Sequence, residues 1–247
     1  MVNTKVSASL MNTHKRSFAI IIPVYNHETS VYDVVTASMQ LDFPVVVVDD
    51  GSTDASYARI KDIPDIRILR HPVNQGKGAA LVTGFMEASR FADWAITLDA
   101  DGQHDPLDAV NMIRSIPTEE RELIIGARQG MAGANVPWTS RFGRYFSNFW
   151  VRVSGGPVVA DSQSGFRIYP LPEIIDLKVV ARRFQYEVEV LVLAHRAGIP
   201  VKDVPVSVNY GDSGVRVSHF RPFRDFIRNS QTFSRLIFQR IFTSQLR

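Results

Sequence analysis

The sequence predicts an α/β fold: one domain built on a mostly parallel sheet flanked by helices. Three observations predict it. Apolar runs alternate with helical patterns, which is how consecutive βαβ units read in a sequence. Each apolar run ends in a polar cluster, as strands of an open sheet do where they reach the crevice beyond their carboxyl ends. The 247-residue chain is 45% hydrophobic and 21% charged, an ordinary balance for a single sizeable core.

The elements follow in order. A polar, flexible segment is expected over residues 1–17, with no apolar stretch of the kind a signal peptide needs. Ala19 to Val24 reads as the first strand and is followed by Tyr25-Asn26-His27; Ser30 to Gln40 reads as the first helix. Val45 to Val48, four consecutive valines, forms the second strand and runs into Asp49-Asp50-Gly51-Ser52-Thr53-Asp54 before a helix at Ala55 to Lys61. Ile66 to Leu69 is the third strand, then Asn74-Gln75-Gly76-Lys77 leads into a helix from Gly78 to Arg90. Trp94 to Leu98 is the fourth strand and stops at Asp99-Ala100-Asp101-Gly102-Gln103. Because the clusters all follow strands, they should converge in space.

Charge and composition narrow the chemistry. Lys and Arg total 28 against 25 Asp and Glu, and the isoelectric point is near 9.3, so anionic partners are favoured. The absence of cysteine excludes disulfides and thiolate metal sites and suits a reducing cytosol. No uninterrupted apolar stretch is long enough to span a bilayer. No nucleic-acid recognition motif is present, and nucleic acid is not expected as a partner.

Each cluster has a chemical reading beside a plainer one. Asp99 and Asp101, one residue apart at a strand end, offer the hard oxygens that Mg²⁺ or Mn²⁺ prefers, with substrate phosphates completing the shell. Alone, the same residues read as a polar turn. Asp50 emerges from a buried strand, where a carboxylate can hold ribose hydroxyls or a base edge; one of Ser52, Thr53 and Asp54 caps the next helix, Asp54 for preference. Lys77, flanked by glycines at a helix start, suits either a phosphate contact or a tight turn that seats the helix.

Taken together, Ile22-Pro-Val-Tyr-Asn26, Val48-Asp-Asp-Gly-Ser-Thr-Asp54, Asn74-Gln-Gly-Lys-Gly78, Leu98-Asp-Ala-Asp-Gly-Gln103, Gly126-Ala-Arg128 and Asp161-Ser-Gln-Ser-Gly-Phe-Arg167 resemble the ordered motifs of family 2 glycosyltransferases. The nearest branch resembles the dolichol- or polyprenol-phosphate mannosyl and glucosyl transferases. The resemblance runs from about Phe18 to about Tyr210. It implies a GT-A, Rossmann-like domain over residues 18–218, a GDP- or UDP-linked sugar donor, and inverting transfer assisted by Mg²⁺ or Mn²⁺. Pro23, Tyr25, Asn26, Glu28, Asp50 and Lys77 would then serve the donor nucleotide, with Val48 lining the base pocket. Asp99, Ala100 and Asp101 would flank the diphosphate, Asp101 with Gln103, and Asp99 beside them, would hold the metal, and Arg128 would reach the donor.

The sequence departs from the mannosyl pattern in two places. His27 precedes Glu28 where a glutamate follows the asparagine directly, and Tyr210-Gly-Asp-Ser-Gly214 lacks the lysine expected at its last position. Arg216, two residues on, is a candidate to supply that charge to the donor.

On the acceptor side, an anionic phosphate needs no general base, whereas a hydroxyl does. Asp161 is either such a base or a brace for the loop before Phe166-Arg167. Glu187, in Phe184-Gln-Tyr-Glu-Val-Glu, is expected to face the acceptor and is counted with Asp101, Asp161 and Arg128 as catalytic. By the resemblance, Arg144, Ser147, Gln163 and Arg167 would meet the acceptor. From Trp138 to Val153, Arg141, Arg144, Asn148 and Arg152 share one helical face beside Trp138, Phe142, Tyr145 and Phe149. Residues 219–247 repeat the scheme, with Arg221, Arg224, Arg228 and Arg235 beside Phe223, Phe226, Phe233 and Ile237, and Pro222 suited to the first turn. Such stripes suit helices lying on an anionic lipid surface, or helices packed on the core with solvated arginines. The expectation is a peripheral enzyme on the cytosolic face of a membrane with a lipid-phosphate acceptor. The alternatives are a hydroxyl acceptor, a non-catalytic nucleotide-sugar-binding protein, and a nucleotidyltransferase on a similar sheet.

Overall fold

The computed structural model describes residues 16–129, 138–208 and 222–243. Residues 1–15, Tyr210–Gly214, Arg216 and Arg221 lie outside them, as do the side chains of Trp138, Phe223, Arg224 and Phe226. Strands β1 (Phe18–Val24), β2 (Val45–Asp49), β3 (Ile66–Arg70) and β4 (Trp94–Thr97) alternate with helices α1 (Val31–Met39), α2 (Ser56–Ile60) and α3 (Lys77–Ala88). Each lies within a residue or two of its expected bounds. Beyond β4 come a 3-10 turn (Pro106–Asp108), α4 (Ala109–Arg114), β5 (Leu123–Arg128), α5 (Trp138–Val153), β6 (Arg167–Pro170), α6 (Glu173–Asp176), α7 (Gln185–Arg196), β7 (Val201–Val206) and α8 (Pro222–Thr243).

The sheet order is β3-β2-β1-β4-β6-β5-β7. All pairs are parallel except those of β6, which runs antiparallel to both β4 and β5. Alternation along the strands divides the core between the two faces: Ile20, Ile22, Val45, Val47 and Ile96 pack on one side, and Ala19, Ile21, Val46, Val48 and Ala95 on the other. α3 lies so close to the second face that a Cβ on Gly84 would stand 2.5 Å from Ile21 Cγ2. The carboxyl ends of β1, β2, β3 and β4 therefore open on one edge, and β6 enters that edge from the opposite direction.

Candidate active site

The first two loops of that edge are laced together. Asn26, at φ 54°, accepts from Thr53 N through Oδ1 at 2.8 Å, and its own N donates to Ser52 Oγ at 3.0 Å. Glu28 Oε2 accepts from Ala55 N at 3.0 Å, while Asp54 accepts from Ser56 N at 2.9 Å and Glu28 N at 3.2 Å. Asp54 thus holds the start of α2, as its position suggests. Tyr25 is half-buried at the end of β1, and Pro23 is buried within it.

Two residues that the resemblance assigns to the nucleotide are buried. Val48 is fully buried in the core beneath α3, its Cγ2 3.4 Å from a Cβ built on Gly84. Asp50 is buried and accepts from Gln75 N (2.8 Å) and Gly76 N (2.7 Å), with His71 Nδ1 at 2.7 Å; His71 Nε2 lies 3.0 Å from Thr83 Oγ1. Asp50 therefore shapes the Asn74–Lys77 loop from below. An open pocket of about 430 Å³ lies beside it, lined by Gly51, Ser52, Thr53, Arg70, His71 and Pro72. Sequence reasoning passed over His71 because a lone histidine after a strand carries no spacing signal.

Lys77 sits at the centre of the edge. Its Nζ is 2.5 Å from Asp99 Oδ1 and 2.5 Å from Glu187 Oε1. Burial opposes the Lys77 charge, but Asp99 and Glu187 outweigh it and hold the ammonium above the usual lysine range. The same contact holds Asp99 below the usual carboxylate range against its own burial. In this arrangement Lys77 reaches two carboxylates, and Glu187 is the second of them. Gly165 makes the approach possible: a Cβ there would fall on both oxygens of Asp99 and 2.6 Å from Lys77 Nζ.

Asp101 is differently placed. Its Oδ1 accepts from Gln103 N at 3.0 Å, and burial followed by the neighbouring Asp99 charge pushes its carboxyl up to about 6. Ala100 between them is buried, and its carbonyl accepts from Ser30 Oγ at 2.6 Å. His104 completes the loop, its ring 5.3 Å from that of Phe166 and its buried Nδ1 without a hydrogen-bond partner among the described residues. A carboxylate raised by burial and a like charge, beside the half-buried Gln103, is a setting that a hard divalent cation relieves, so the donor set fits Mg²⁺ or Mn²⁺. Among the described residues no three His, Asp or Glu side chains gather into a cage, which leaves the remaining ligands to substrate oxygens.

The Asp161–Arg167 loop faces this cluster. Asp161, fully buried, binds Arg128 bidentately, Oδ2 to Nε at 2.6 Å and Oδ1 to Nη2 at 3.0 Å. Arg167, which the resemblance places at the acceptor, is fully buried, and its guanidinium donates to the carbonyls of Ser162, Ser164 and Glu187 and reaches Tyr169 Oη. It braces the loop from inside the core. Ser147 is likewise buried and accepts from Ser162 Oγ at 2.8 Å. Arg144 is half-buried on α5, one turn away, and Gln163 lies against Gly143 of the same helix, its Oε1 3.9 Å from a Cβ built there.

The fold and its carboxylate edge define a nucleotide-sugar glycosyltransferase of GT-A architecture. The chain belongs to glycosyl transferase family 2, whose model matches residues 19–172. Among curated proteins it is 30% identical over 213 residues to UDP-N-acetylglucosamine--dolichyl-phosphate N-acetylglucosaminyltransferase of Methanococcus voltae, covering 77% of this chain and 85% of that one. It is 28% identical over 200 residues to the undecaprenyl-phosphate mannosyltransferase of Micrococcus luteus, covering 76% and 81%. Among solved structures, glucosyl-3-phosphoglycerate synthase from Mycobacterium tuberculosis in complex with Mn²⁺, uridine diphosphate and phosphoglyceric acid superposes with a TM-score of 0.66 at 20% identity, over 95% of this chain and 82% of that one. The chain is a glycosyltransferase.

Proposed function

We propose that the enzyme transfers a sugar, with inversion, from a UDP- or GDP-linked donor to a polyprenyl-phosphate acceptor, using Mg²⁺ or Mn²⁺. One observation carries the choice of acceptor: the two carboxylates placed to act as a general base are already committed to cations, Asp161 to Arg128 and Glu187 to Lys77. A hydroxyl acceptor needs a base to take its proton; a phosphate arrives as an anion and needs none. The relatives named for dolichyl- and undecaprenyl-phosphate transfer support the same reading.

Asp101 and Gln103 would hold the metal, with Asp99 beside them. Bound there, the cation would neutralise charge on the departing nucleoside diphosphate. The chain's own part is positional. Lys77 and Glu187 set the Asp99 carboxylate against the donor, and the Arg128–Asp161 pair places a guanidinium at the cluster without leaving a free base. Arg144, half-buried at its edge, supplies charge toward an acceptor phosphate.

The apolar side of the acceptor has a place as well. Phe142 (59% exposed), Tyr145 (75%) and Phe149 (52%) on α5 and Phe238 (62%), Ile241 (50%) and Phe242 (60%) on α8 stand in solvent, near the exposed Arg141, Arg152 and Arg240. No helix among the described residues is long and apolar enough to cross a membrane. Aromatic residues interleaved with arginine instead suit a surface that lies on anionic lipid.

The test is transfer from radiolabelled UDP- and GDP-sugars to polyprenyl phosphate in detergent micelles, with Mn²⁺ or with chelator. The expected result is metal-dependent glycolipid with release of nucleoside diphosphate. Transfer to a non-phosphorylated polyprenol at an equal rate would overturn the acceptor assignment, and nucleotide binding without turnover would identify a binding protein.

A further inference from the structure

The C-terminal helix is tied to the donor site by a continuous set of polar contacts. Arg235 of α8 donates to Glu189 Oε2 on α7 at 2.6 Å, and Glu189 is only 2% exposed. The same carboxylate accepts from the backbone N–H groups of Val180 (3.2 Å) and Ala181 (3.0 Å). The strap 179–184 therefore hangs from Glu189. Its far side is pressed on the Lys77 turn: Ala79 N donates to Arg182 O at 2.9 Å, and Arg183 Nη1 donates to Asn74 Oδ1 at 3.1 Å. The packing leaves no slack. A Cβ on Gly76 would stand 2.5 Å from Arg182 O, and one on Gly78 would stand 2.6 Å from Tyr186 Cβ and 2.9 Å from Ala181 O.

Lys77 lies between those two glycines and reaches Asp99 and Glu187. Glu187, which Lys77 reaches, and Glu189, which Arg235 reaches, stand two residues apart on α7. We infer that Arg235 is a positioning residue for the donor site, acting through Glu189 and the 179–184 strap on the Lys77 turn; this rests on the donor-site reading above. Removing Arg235 leaves a buried carboxylate with only two backbone donors, and the strap and the turn it presses on lose their anchor. The helix that carries the exposed Phe238 and Phe242 thereby has a mechanical connection to the diphosphate end of the site.

The experiment compares full-length Arg235→Gln, Arg235→Lys and Arg240→Gln with wild type. Arg240 serves as the control because it also anchors α8, but at the carboxyl end of α5, donating to Val153 O at 2.8 Å and lying against Gly155. Two readouts are taken: affinity for UDP and GDP in the presence of Mn²⁺, and amide hydrogen exchange of peptides 74–81 and 179–186 in ligand-free protein. Arg235→Gln should weaken the bound nucleotide on the order of tenfold and speed exchange in both peptides. Arg235→Lys should restore most of both, and Arg240→Gln should change neither even if it lowers Tm. Equal effects of Arg235→Gln and Arg240→Gln, or unchanged exchange at 74–81 in Arg235→Gln, would overturn the inference. Wild type that binds neither nucleotide would overturn the donor-site reading instead, while the exchange comparison still decides whether the connection exists.

Discussion

Asp101 and Asp203 are two half-buried carboxylates with opposite prospects. Asp101→Asn removes the carboxylate that a divalent cation would need, and it should cost roughly a hundredfold or more in turnover together with the metal dependence of nucleotide binding. Near-normal turnover without added metal would refute the assignment. Asp203 has no such use: its Oδ2 accepts from Ala160 N at 2.8 Å, its buried Oδ1 has no partner among the described residues, and burial raises its pKa. A carboxyl whose folded pKa is raised holds its proton more readily in the native state, so its charge destabilises the fold at neutral pH and the effect fades as pH falls through the folded pKa. Asp203→Asn, which keeps an acceptor for Ala160, should therefore raise Tm at pH 7 to 8, with the gain vanishing as pH approaches 4. Thermal melts across that range check it. Lys77→Met is the harsher change. It strands Asp99 and Glu187 without their shared cation and should destabilise the protein by about 3 kcal/mol, measured by denaturant unfolding.

At the scale of the element, the two amphipathic helices divide their work. On α8, Phe233 and Leu236 are buried against the core, with Phe233 stacked on Trp150 of α5 at 6.3 Å, and Arg235 is committed to Glu189. On α5, Asn148 is drawn inward to Ala160 O and Ser162 N. Phe142, Tyr145, Phe149, Phe238 and Phe242 are exposed and bury little surface in the fold. Changing Phe142, Phe149, Phe238 and Phe242 together to serine should leave Tm within a degree or two and reduce co-sedimentation with anionic vesicles about tenfold. Undiminished co-sedimentation would place the membrane surface elsewhere. The spacing groups Arg235 with a basic stripe that suits either anionic lipid or solvent; its partner lies on a helix more than forty residues earlier, and no local pattern reports such a pairing.

For the molecule as a whole, a nucleoside diphosphate at a hundredfold above its dissociation constant should add about 2.7 kcal/mol to stability. In a chain of this size that raises Tm by roughly 5–10 °C, and the shift should need Mn²⁺. A thermal-shift screen over the nucleoside diphosphates also identifies the base. The half of the sheet that carries the candidate donor site was legible in the sequence, because β1, β2 and β4 are nearly continuous apolar runs, β3 alternates apolar residues with arginine, and each is followed by a polar cluster. The other half was not. β6 has four residues and begins with Arg167, whose burial depends on carbonyls of a loop and of α7 that meet only in the folded chain. The burial of Val48 and the inward bonds of Asp50 to Gln75 N and Gly76 N were not legible, since a sequence shows where a strand ends and not which way its last side chains turn.

Gly165 has one more consequence. Its missing side chain leaves the space in which Lys77 and Asp99 meet, while the backbone on either side is buried and well braced. An alanine there would push the Lys77 ammonium and the Asp99 carboxylate apart at their side-chain ends while leaving the strands beneath them in place.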